Sequence, residues 1–295
     1  MSYYRNHYQM ICKGGNLPYT MIIHTREQLE NDGRLDENGK LMIPDLMDHW
    51  HEALEVDYIF AGSWQFMVNG RETIVSREEF IVINCEDIHG INFDCDLEQM
   101  DVIGFTLLIS EDFIKGLIPD LGECFFDQET AVTSEGIRNC LCRIYQIYTQ
   151  ELQEYSDLAI IAQITMLLYE LCACGAKKPK STIPINSQKS VERLRGILMY
   201  IEEHYAEDLS LEETAERFHF SRTYFTRFFK NYTGLTFKEY LTRYRLEKAR
   251  GLLLDTDLTV TDIAMQCGFS DSRRFILSYK KFFGTTPLQY RIAGR

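Results

Sequence analysis

The chain has no unbroken run of about 18 apolar residues, the length a helix needs to cross a bilayer, so no spanning helix is expected. Its first ten residues, MSYYRNHYQM, offer neither an apolar stretch nor a small-residue cleavage site, and no secretory signal is read there. There is no pair of cysteines separated by two residues. The nine cysteines follow no framework of spacings, and Cys140-x-Cys142 and Cys172-x-Cys174 lack the two-residue gap usual in zinc pairs. Free, mostly buried thiols in a reducing cytosol are the expectation. No nucleophile elbow and no phosphate-binding loop is present either. These absences leave few enzyme classes open.

What is present is a chain of 295 residues, long enough for two domains, with 45% hydrophobic residues to build their cores. The net charge of -13 is unevenly spread. Residues 186–295 hold 18 basic and 14 acidic groups, a net of +4, which leaves -17 on residues 1–185. Within Arg217–Arg250 nine basic residues stand against two acidic ones, Glu239 and Glu247. Such asymmetry points to a nucleic-acid-binding part joined to something else, although a basic helix face can also be merely solvated.

The basic region contains a repeat. TAERFHFSRTYFTRFFKNYTG (214–234) lies over IAMQCGFSDSRRFILSYKKFFG (263–284). Ala215 matches Ala264, Phe220 matches Phe269 and Ser221 matches Ser270; one inserted residue later Phe225 matches Phe275, Lys230 matches Lys280 and Gly234 matches Gly284. Two copies of one supersecondary unit are implied. Each copy reads as helix, tight turn, helix. Ser210 opens the first helix of copy one with a capping box to Glu213, the second copy opens at Thr259, and Ser221 and Ser270 are expected to cap the second helices. In the first copy Tyr224, Phe225, Phe228 and Phe229 are expected to face the core, and in both the small Ala215 and Ala264 allow a close crossing. This is the helix-turn-helix plan, in which the second helix enters a major groove.

The exposed side of the first such helix is then Arg222, Thr223, Thr226 and Arg227, with Lys230 near its end. Arginine can bond guanine O6 and N7 together, and threonine can bond base edges or touch a thymine methyl. Between the units, Phe237, Tyr240, Leu241, Tyr244, Leu252 and Leu253 are spaced for one long helix. At ~27 Å it would hold two reading heads roughly one DNA turn, ~34 Å, apart. Arg243, Arg245, Lys248 and Arg250 make its polar faces, some for phosphates and others for ion pairs.

The text Leu209-Ser210-Leu211-Glu212-Glu213 with Ala215, Phe229-Lys230 with Gly234, and Arg245-Leu246 with Ala249 and Leu252-Leu253 resembles the AraC/XylS family of bacterial transcription regulators. So do Ile263-Ala264, Gly268-Phe269, Phe275, Phe283-Gly284-Thr285-Thr286-Pro287 and Tyr290-Arg291, and the likeness covers about a hundred residues. The resemblance implies an all-α domain of seven helices over residues 190–295, with helix-turn-helix units at about 209–230 and 259–281. It implies double-stranded DNA as partner, read by Arg222, Thr223, Thr226, Arg227 and Lys230 and by Ser272, Arg273, Ile276, Leu277 and Lys280. Ile276 and Leu277 depart from a family habit of a polar residue and an arginine, so the second unit is expected to read thymine methyls and phosphates. A cytoplasmic location, an activating role and RNA polymerase as a further partner belong to the same expectation.

Residues 1–125 read as β-rich. LEVDYIFAG and SWQFMVNGRETIVS are strand-like, with Asn69-Gly70 a type I′ hairpin signal, and the spacing suggests an antiparallel barrel or jelly roll. The fold class is therefore α+β. His49, His51 and Glu55 share strand parity and would point to one face. They are similar to the first cupin motif, HxHxxxE followed by a glycine, here Gly62, and His89 falls about where the second cupin motif has a histidine. Asn84 and Glu86 depart from that second motif, which carries proline and glycine. Such a cluster could bind Fe, Mn or Zn. AraC-type sensor domains, however, often keep the outline around an organic effector. The preferred reading is a small-molecule pocket, with a sugar in keeping with family habit, lined by His49, His51, Glu55, Tyr58, Trp64, Phe66 and His89. No metal or other cofactor and no catalytic residue is assigned. The rival reading is a metal-dependent cupin enzyme with an accessory DNA-binding domain.

Residues 134–174 carry two apolar helical stripes, Ile137, Leu141, Ile144, Tyr148 and Leu152, then Leu158, Ile161, Ile164, Leu168 and Leu171. They are expected to pack against the barrel and to form a homodimer surface. Residues 1–175 thus make an effector-sensing and dimerisation domain. Residues 176–189, polar with two prolines, read as the linker.

Overall fold

The structure is a computed structural model and describes residues 17–31, 46–94, 101–150 and 154–294. The first ten residues, Cys12, Cys95 and Leu152 lie outside them.

The strand β3 (Leu54–Ile59) shows how the N-terminal half is layered, because all six of its residues are buried. Leu54, Val56 and Tyr58 enter a core shared with helices, while Ile59, of opposite parity, enters a second core between two sheets. The first sheet has the order β1 (Tyr19–Thr25), β8 (Val102–Ile109), β3, β6 (Phe80–Ile83), all antiparallel. The second has the order β2 (Leu46–His49), β7 (His89–Asp94), β4 (Ser63–Val68), β5 (Arg71–Ser76). A short helix, α1 (Arg26–Asn31), follows β1. Trp64, Phe66, Ile81, Ile83, Ile91 and Ile103 fill the space between the sheets. Asn69 and Gly70 join β4 to β5 with φ of 50° and 81°, the two left-handed residues a type I′ turn requires.

Helices cover the outer face of the first sheet. After α2 (Glu111–Leu117), β9 (Cys124–Phe126) and α3 (Gln128–Ala131), the helices α4 (Glu135–Thr149) and α5 (Ser156–Ala173) bury Ile137, Leu141, Ile144, Ile160, Ile164, Leu168 and Leu171 against Val56, Phe105 and Leu107. Two stripe members differ from expectation. Tyr148, on α4, lies exposed with its hydroxyl donating to the Met21 carbonyl at 3.4 Å, and Leu158 lies exposed because the buried stripe of α5 runs through Ile160 and Leu167 instead. By length and composition α5 is also apolar enough to cross a membrane, although Asp157 and Glu170 interrupt its apolar run.

Residues 176–189 are an ordered connection, not an open linker. β10 (Lys177–Pro179) pairs antiparallel with β9, and α6 (Ile185–His204) starts directly after Pro184. The lysines that look solvated in sequence are held: Lys177 reaches Asp120 at 2.6 Å and Lys178 reaches Asp127 at 2.8 Å.

The remaining helices are α7 (Leu211–Arg217), α8 (Arg222–Thr233), α9 (Phe237–Asp255), α10 (Val260–Gln266), α11 (Ser272–Phe283) and α12 (Pro287–Ala293). They form two cores. Leu194, Ile197, Ala215, Phe225, Phe228 and Phe229 make the first; Ile263, Ala264, Phe269, Phe275, Tyr279 and Phe283 make the second. α9 is the bar between them, giving Phe237, Tyr240 and Leu241 to one and Leu246, Ala249 and Leu253 to the other. Hydroxyl caps set the helix starts, Ser210 for α7, Ser221 for α8, and Thr236, Thr259 and Thr286 within full capping boxes. The cap of α11 is Asp271, which accepts from the Arg274 amide, and not Ser270; the inserted residue falls before the cap, so Ser221 corresponds to Asp271.

Candidate nucleic-acid interface and buried histidine cluster

Each helix-turn-helix unit closes its turn in the same way. The Phe220 amide donates to the Ala215 carbonyl at 2.8 Å, and the Phe269 amide donates to the Ala264 carbonyl at 3.0 Å. With Phe225, Phe228 and Phe229 committed to the core, α8 turns Arg222, Thr223, Thr226, Arg227 and Lys230 outward, all exposed in the whole chain. Tyr224 departs from expectation: it is exposed and stacks along Phe220, which stands 5.3 Å away between centroids. Arg222 pairs with Glu212 of α7 at 3.0 Å, so any ligand for this guanidinium competes with a carboxylate. On α11, Arg273, Leu277 and Lys280 are exposed, Ser272 is half-buried, and Ile276 packs partly into the second core. Neither α8 nor α11 contains an acidic residue.

The polar face of α9 serves the fold more than its charge suggests. Arg245 donates from Nε to the Tyr205 carbonyl and from Nη2 to the Glu207 carbonyl, both at 2.7 Å, locking α9 to the end of α6. Arg250 is buried beside Glu247 and under the Phe283 ring. Arg243 lies over Phe282.

The second cluster sits at one end of the sandwich. His49 closes β2 directly opposite His89, the first residue of β7, in the second sheet. The strand stops there, and His51 lies in the crossing to the first sheet, where Glu55 stands on β3. The three side chains therefore meet because the chain passes between sheets, not because they share a strand face. His51 Nε2 is 2.8 Å from Glu55 Oε2, and His89 Nε2 is 3.4 Å from the same oxygen. The rings of His49 and His89 are 4.2 Å apart between centroids. The ligand-capable atoms of His49, His51, Glu55 and His89 all lie within 4.8 Å of one another.

Burial alone would push the Glu55 carboxyl up; the charge of His89 and the hydrogen bond from His51 outweigh it and hold the group well below the usual carboxylate range. Burial pulls the His89 imidazole down, and the same Glu55 overcomes this and raises it. Asp57, next on the same face of β3, is pushed well up by burial and then by Glu55; its carboxylate accepts from Thr106, whose oxygen also meets His24 Nε2 at 2.8 Å.

Of the seven residues expected to line a pocket, the structure brings together His49, His51, Glu55 and His89. Trp64 and Phe66 lie in the intersheet core, fully buried. Tyr58 is on the wrong side: odd and even positions of β3 face opposite layers, and its ring stacks with Phe105 under the helices. Sequence reasoning passed over Asp57, although it shares the parity of Glu55. It also passed over Trp50, between the two histidines, and read Glu86 only as a departure from the second cupin motif. The Arg195 guanidinium of α6 lies 5.0 Å from the Trp50 ring centroid, and its Nη2 donates to the Glu86 carbonyl at 2.6 Å. Glu86 holds φ of 67°, and its carboxylate stands 3.8 Å from Arg195 Nη1. Asn84, the other departure from the cupin pattern, exchanges hydrogen bonds with the backbone of Phe126 and donates to Asp87.

A helix-turn-helix domain family model matches residues 214–293. The chain is 28% identical over 253 residues to the HTH-type transcriptional activator RhaS of Escherichia fergusonii, a match that covers 83% of this chain and 87% of the relative. Against RhaS of Escherichia coli the match runs over 250 residues, 84% of this chain and 88% of the relative, at 28% identity for strain SMS-3-5 and 40% for strain SE11. The C-terminal domain of the two-component response regulator yesN from Fusobacterium nucleatum is 39% identical, with a TM-score of 0.33, over 34% of this chain and 98% of that one. The full-length relatives span both halves of the chain and are transcription activators rather than enzymes, so the metal-dependent cupin enzyme is set aside. From its matched helix-turn-helix region and its relatives of nearly equal length, this chain belongs to the AraC/XylS family of transcription regulators.

Proposed function

We propose that this regulator reads double-stranded DNA in the cytoplasm with α8 and α11, and that an effector bound by the N-terminal sandwich controls its hold on DNA. The observation that carries the reading is the pair of acid-free helices, each seated on its own core and each turning cationic side chains outward. α9 fixes their separation: its 19 residues span about 28 Å, close to one turn of duplex. Arg222 and Arg227 take guanine edges, Thr223 and Thr226 bases or thymine methyls, and Lys230 and Lys280 phosphates. On α11, Ser272, Arg273 and Leu277 are the corresponding contacts, with Ile276 split between the core and a thymine methyl.

The acidic sandwich does not oppose this. Phosphates within a Debye length, about 8 Å at physiological salt, feel the local basic face, and a distant negative domain mainly weakens sequence-independent binding. The protein acts as a homodimer through α4 and α5 and meets RNA polymerase when bound.

Selection from a random duplex pool tests the reading. The full chain is expected to enrich a site with two short boxes about one helical turn apart. A chain truncated after residue 184 is expected to enrich nothing while keeping its β-sheet circular dichroism. Enrichment by the truncated chain would overturn the assignment of DNA reading to α8 and α11.

A further inference from the structure

Both reading helices carry a second line of exposed polar side chains beside the residues that face the groove. On α8 the middle of the outward face is Thr223 and Arg227, and Arg222 turns from it toward α7, where it pairs with Glu212. Tyr224 and Asn231 lie on the opposite flank, two turns apart, so they form one line along the helix. The repeat puts Arg274 and Lys281 at the matching positions of α11. All four side chains are exposed.

The two lines differ in chemistry. The Tyr224 ring is fixed by its neighbours: it lies within 20° of parallel to Phe220 and 18° to Phe228, at 5.3 and 6.1 Å between centroids. It is nevertheless 47% exposed, and among the described residues neither its hydroxyl nor the Asn231 amide has a hydrogen-bond partner. A hydroxyl held in place by its ring, with no partner of its own, meets a ligand at little cost in order. On α11 Ser278 stands where α8 has Phe228, and the line is cationic instead. Among the described residues Arg274 and Lys281 make no ion pair. A major groove is about 12 Å wide and a helix with its side chains about 10–12 Å across, so a helix seated there brings both flanks against the backbone. The α7 side meets one strand, because the first helix of such a unit crosses the backbone. The line of Tyr224 and Asn231 then faces the other strand. Tyrosine and asparagine donate to phosphate oxygens, and arginine and lysine do so with charge.

We infer that Tyr224 and Asn231 on α8, and Arg274 and Lys281 on α11, grip the sugar–phosphate backbone of the strand facing away from each unit's first helix, by neutral hydrogen bonds in the first unit and by charge in the second. This rests on the reading of α8 and α11 as the helices that enter DNA. The consequence is that the two heads respond unequally to salt. A neutral donor releases no counterion from a phosphate, whereas two cations release about two. With Arg273 and Lys280, α11 brings four cations that no described carboxylate pairs with, while α8 brings Arg227 and Lys230 beside the paired Arg222. As salt rises the second head lets go first, and the first stays as the anchor.

The test uses the full chain on the duplex enriched by the pool selection. Tyr224→Phe keeps the stacked ring and removes only the hydroxyl. It is expected to weaken binding about 5- to 10-fold, on the selected site and on its single-base variants alike, with the salt slope unchanged. Ethylation of single phosphates gives a readout that packing would not move: one phosphate in a box is expected to matter to the wild type and not to Tyr224→Phe. Arg274→Gln with Lys281→Gln is expected to flatten the slope of log affinity against log salt by about 2. In wild-type footprints taken at rising KCl, protection of one box is expected to fade before that of the other. Wild-type affinity in Tyr224→Phe, a loss confined to one base pair, or an unchanged ethylation pattern overturns the grip of α8. An unchanged salt slope in the double variant, or both boxes fading together, overturns that of α11. A chain that enriches a site and is indifferent to all these replacements sinks this inference alone; one that enriches no site sinks the regulator reading and this inference with it.

Discussion

The two copies of the repeat share one backbone conformation at their turns but place different residues in it. His219 in the first copy and Gly268 in the second both adopt the left-handed conformation, with φ of 59° and 79°. For a residue with a Cβ this costs roughly 1–2 kcal/mol, which glycine avoids. At Gly268 there is also no room, since a Cβ would stand 2.8 Å from the Tyr205 carbonyl oxygen and 2.9 Å from that of Ala206. Gly268→Ala is therefore expected to destabilise the helical half by about 2 kcal/mol or more, read as an earlier urea midpoint in circular dichroism. His219→Gly relieves strain at an exposed side chain but loosens the unfolded chain by about 0.5–1 kcal/mol, so a change within about 1 kcal/mol is expected. Equal losses at both positions would remove backbone strain as the cause. Residue-scale reading of the sequence was good where chemistry is local. It found the caps Ser210 and Ser221, the helix start at Thr259 and the Asn69-Gly70 turn. It erred where a one-residue shift inverts the answer, at Tyr58, which parity puts with the helices, and at Ser270, displaced by Asp271.

At the scale of elements, the repeat was legible because each unit needs the same core positions, and α7 to α11 fall where apolar spacing puts them. The β2–β3 region was not. Alternation in His49-Trp50-His51 looks like one strand continuing to Glu55, and only the pairing of β2 with β7 and of β3 with β6 and β8 shows that the chain changes sheets. The reading helices give the sharpest test. Arg227 is exposed on α8 one turn beyond Arg222, which Glu212 holds at 3.0 Å. Arg227→Ala is expected to cost ~1–3 kcal/mol on the selected site and to relax one base position, measured by titration of single-base variants of that site. A loss equal on all sequences would make Arg227 a phosphate contact. Glu212→Gln is expected to act in the opposite direction, by a few tenths to about 1 kcal/mol at low salt, because an exposed pair is worth little and DNA need no longer compete with it.

At the scale of the whole molecule, charge asymmetry and domain order were visible in composition, but the contact between halves was not. It includes Trp50, Glu86, Ile88 and Arg195, which no motif joins, and the ring of Tyr232 packed on Gly70 of the β4–β5 turn. α5 poses the last question at this scale. Only 28% of this apolar helix is buried within the chain. Leu158, Ala162, Met166, Tyr169 and Ala173 stand three to four residues apart on its exposed side, so they form a continuous apolar stripe. The opposite stripe is already occupied, since Ile160, Ile164, Leu168 and Leu171 are built into the core with α4 and the first sheet, and insertion into a bilayer would have to tear that core open. Pairing with a second copy covers the exposed stripe at no such cost. Leu158→Glu with Tyr169→Glu is therefore expected to convert a dimer to a monomer in sedimentation velocity, with unchanged circular dichroism because both side chains are exposed in the single chain. On a duplex carrying two copies of the selected site, the monomer is expected to lose the cooperative step and to keep its affinity for one site. A wild-type chain that sediments as a monomer at micromolar concentration, or that partitions into neutral lipid vesicles through this helix, would rule out dimerisation by this face.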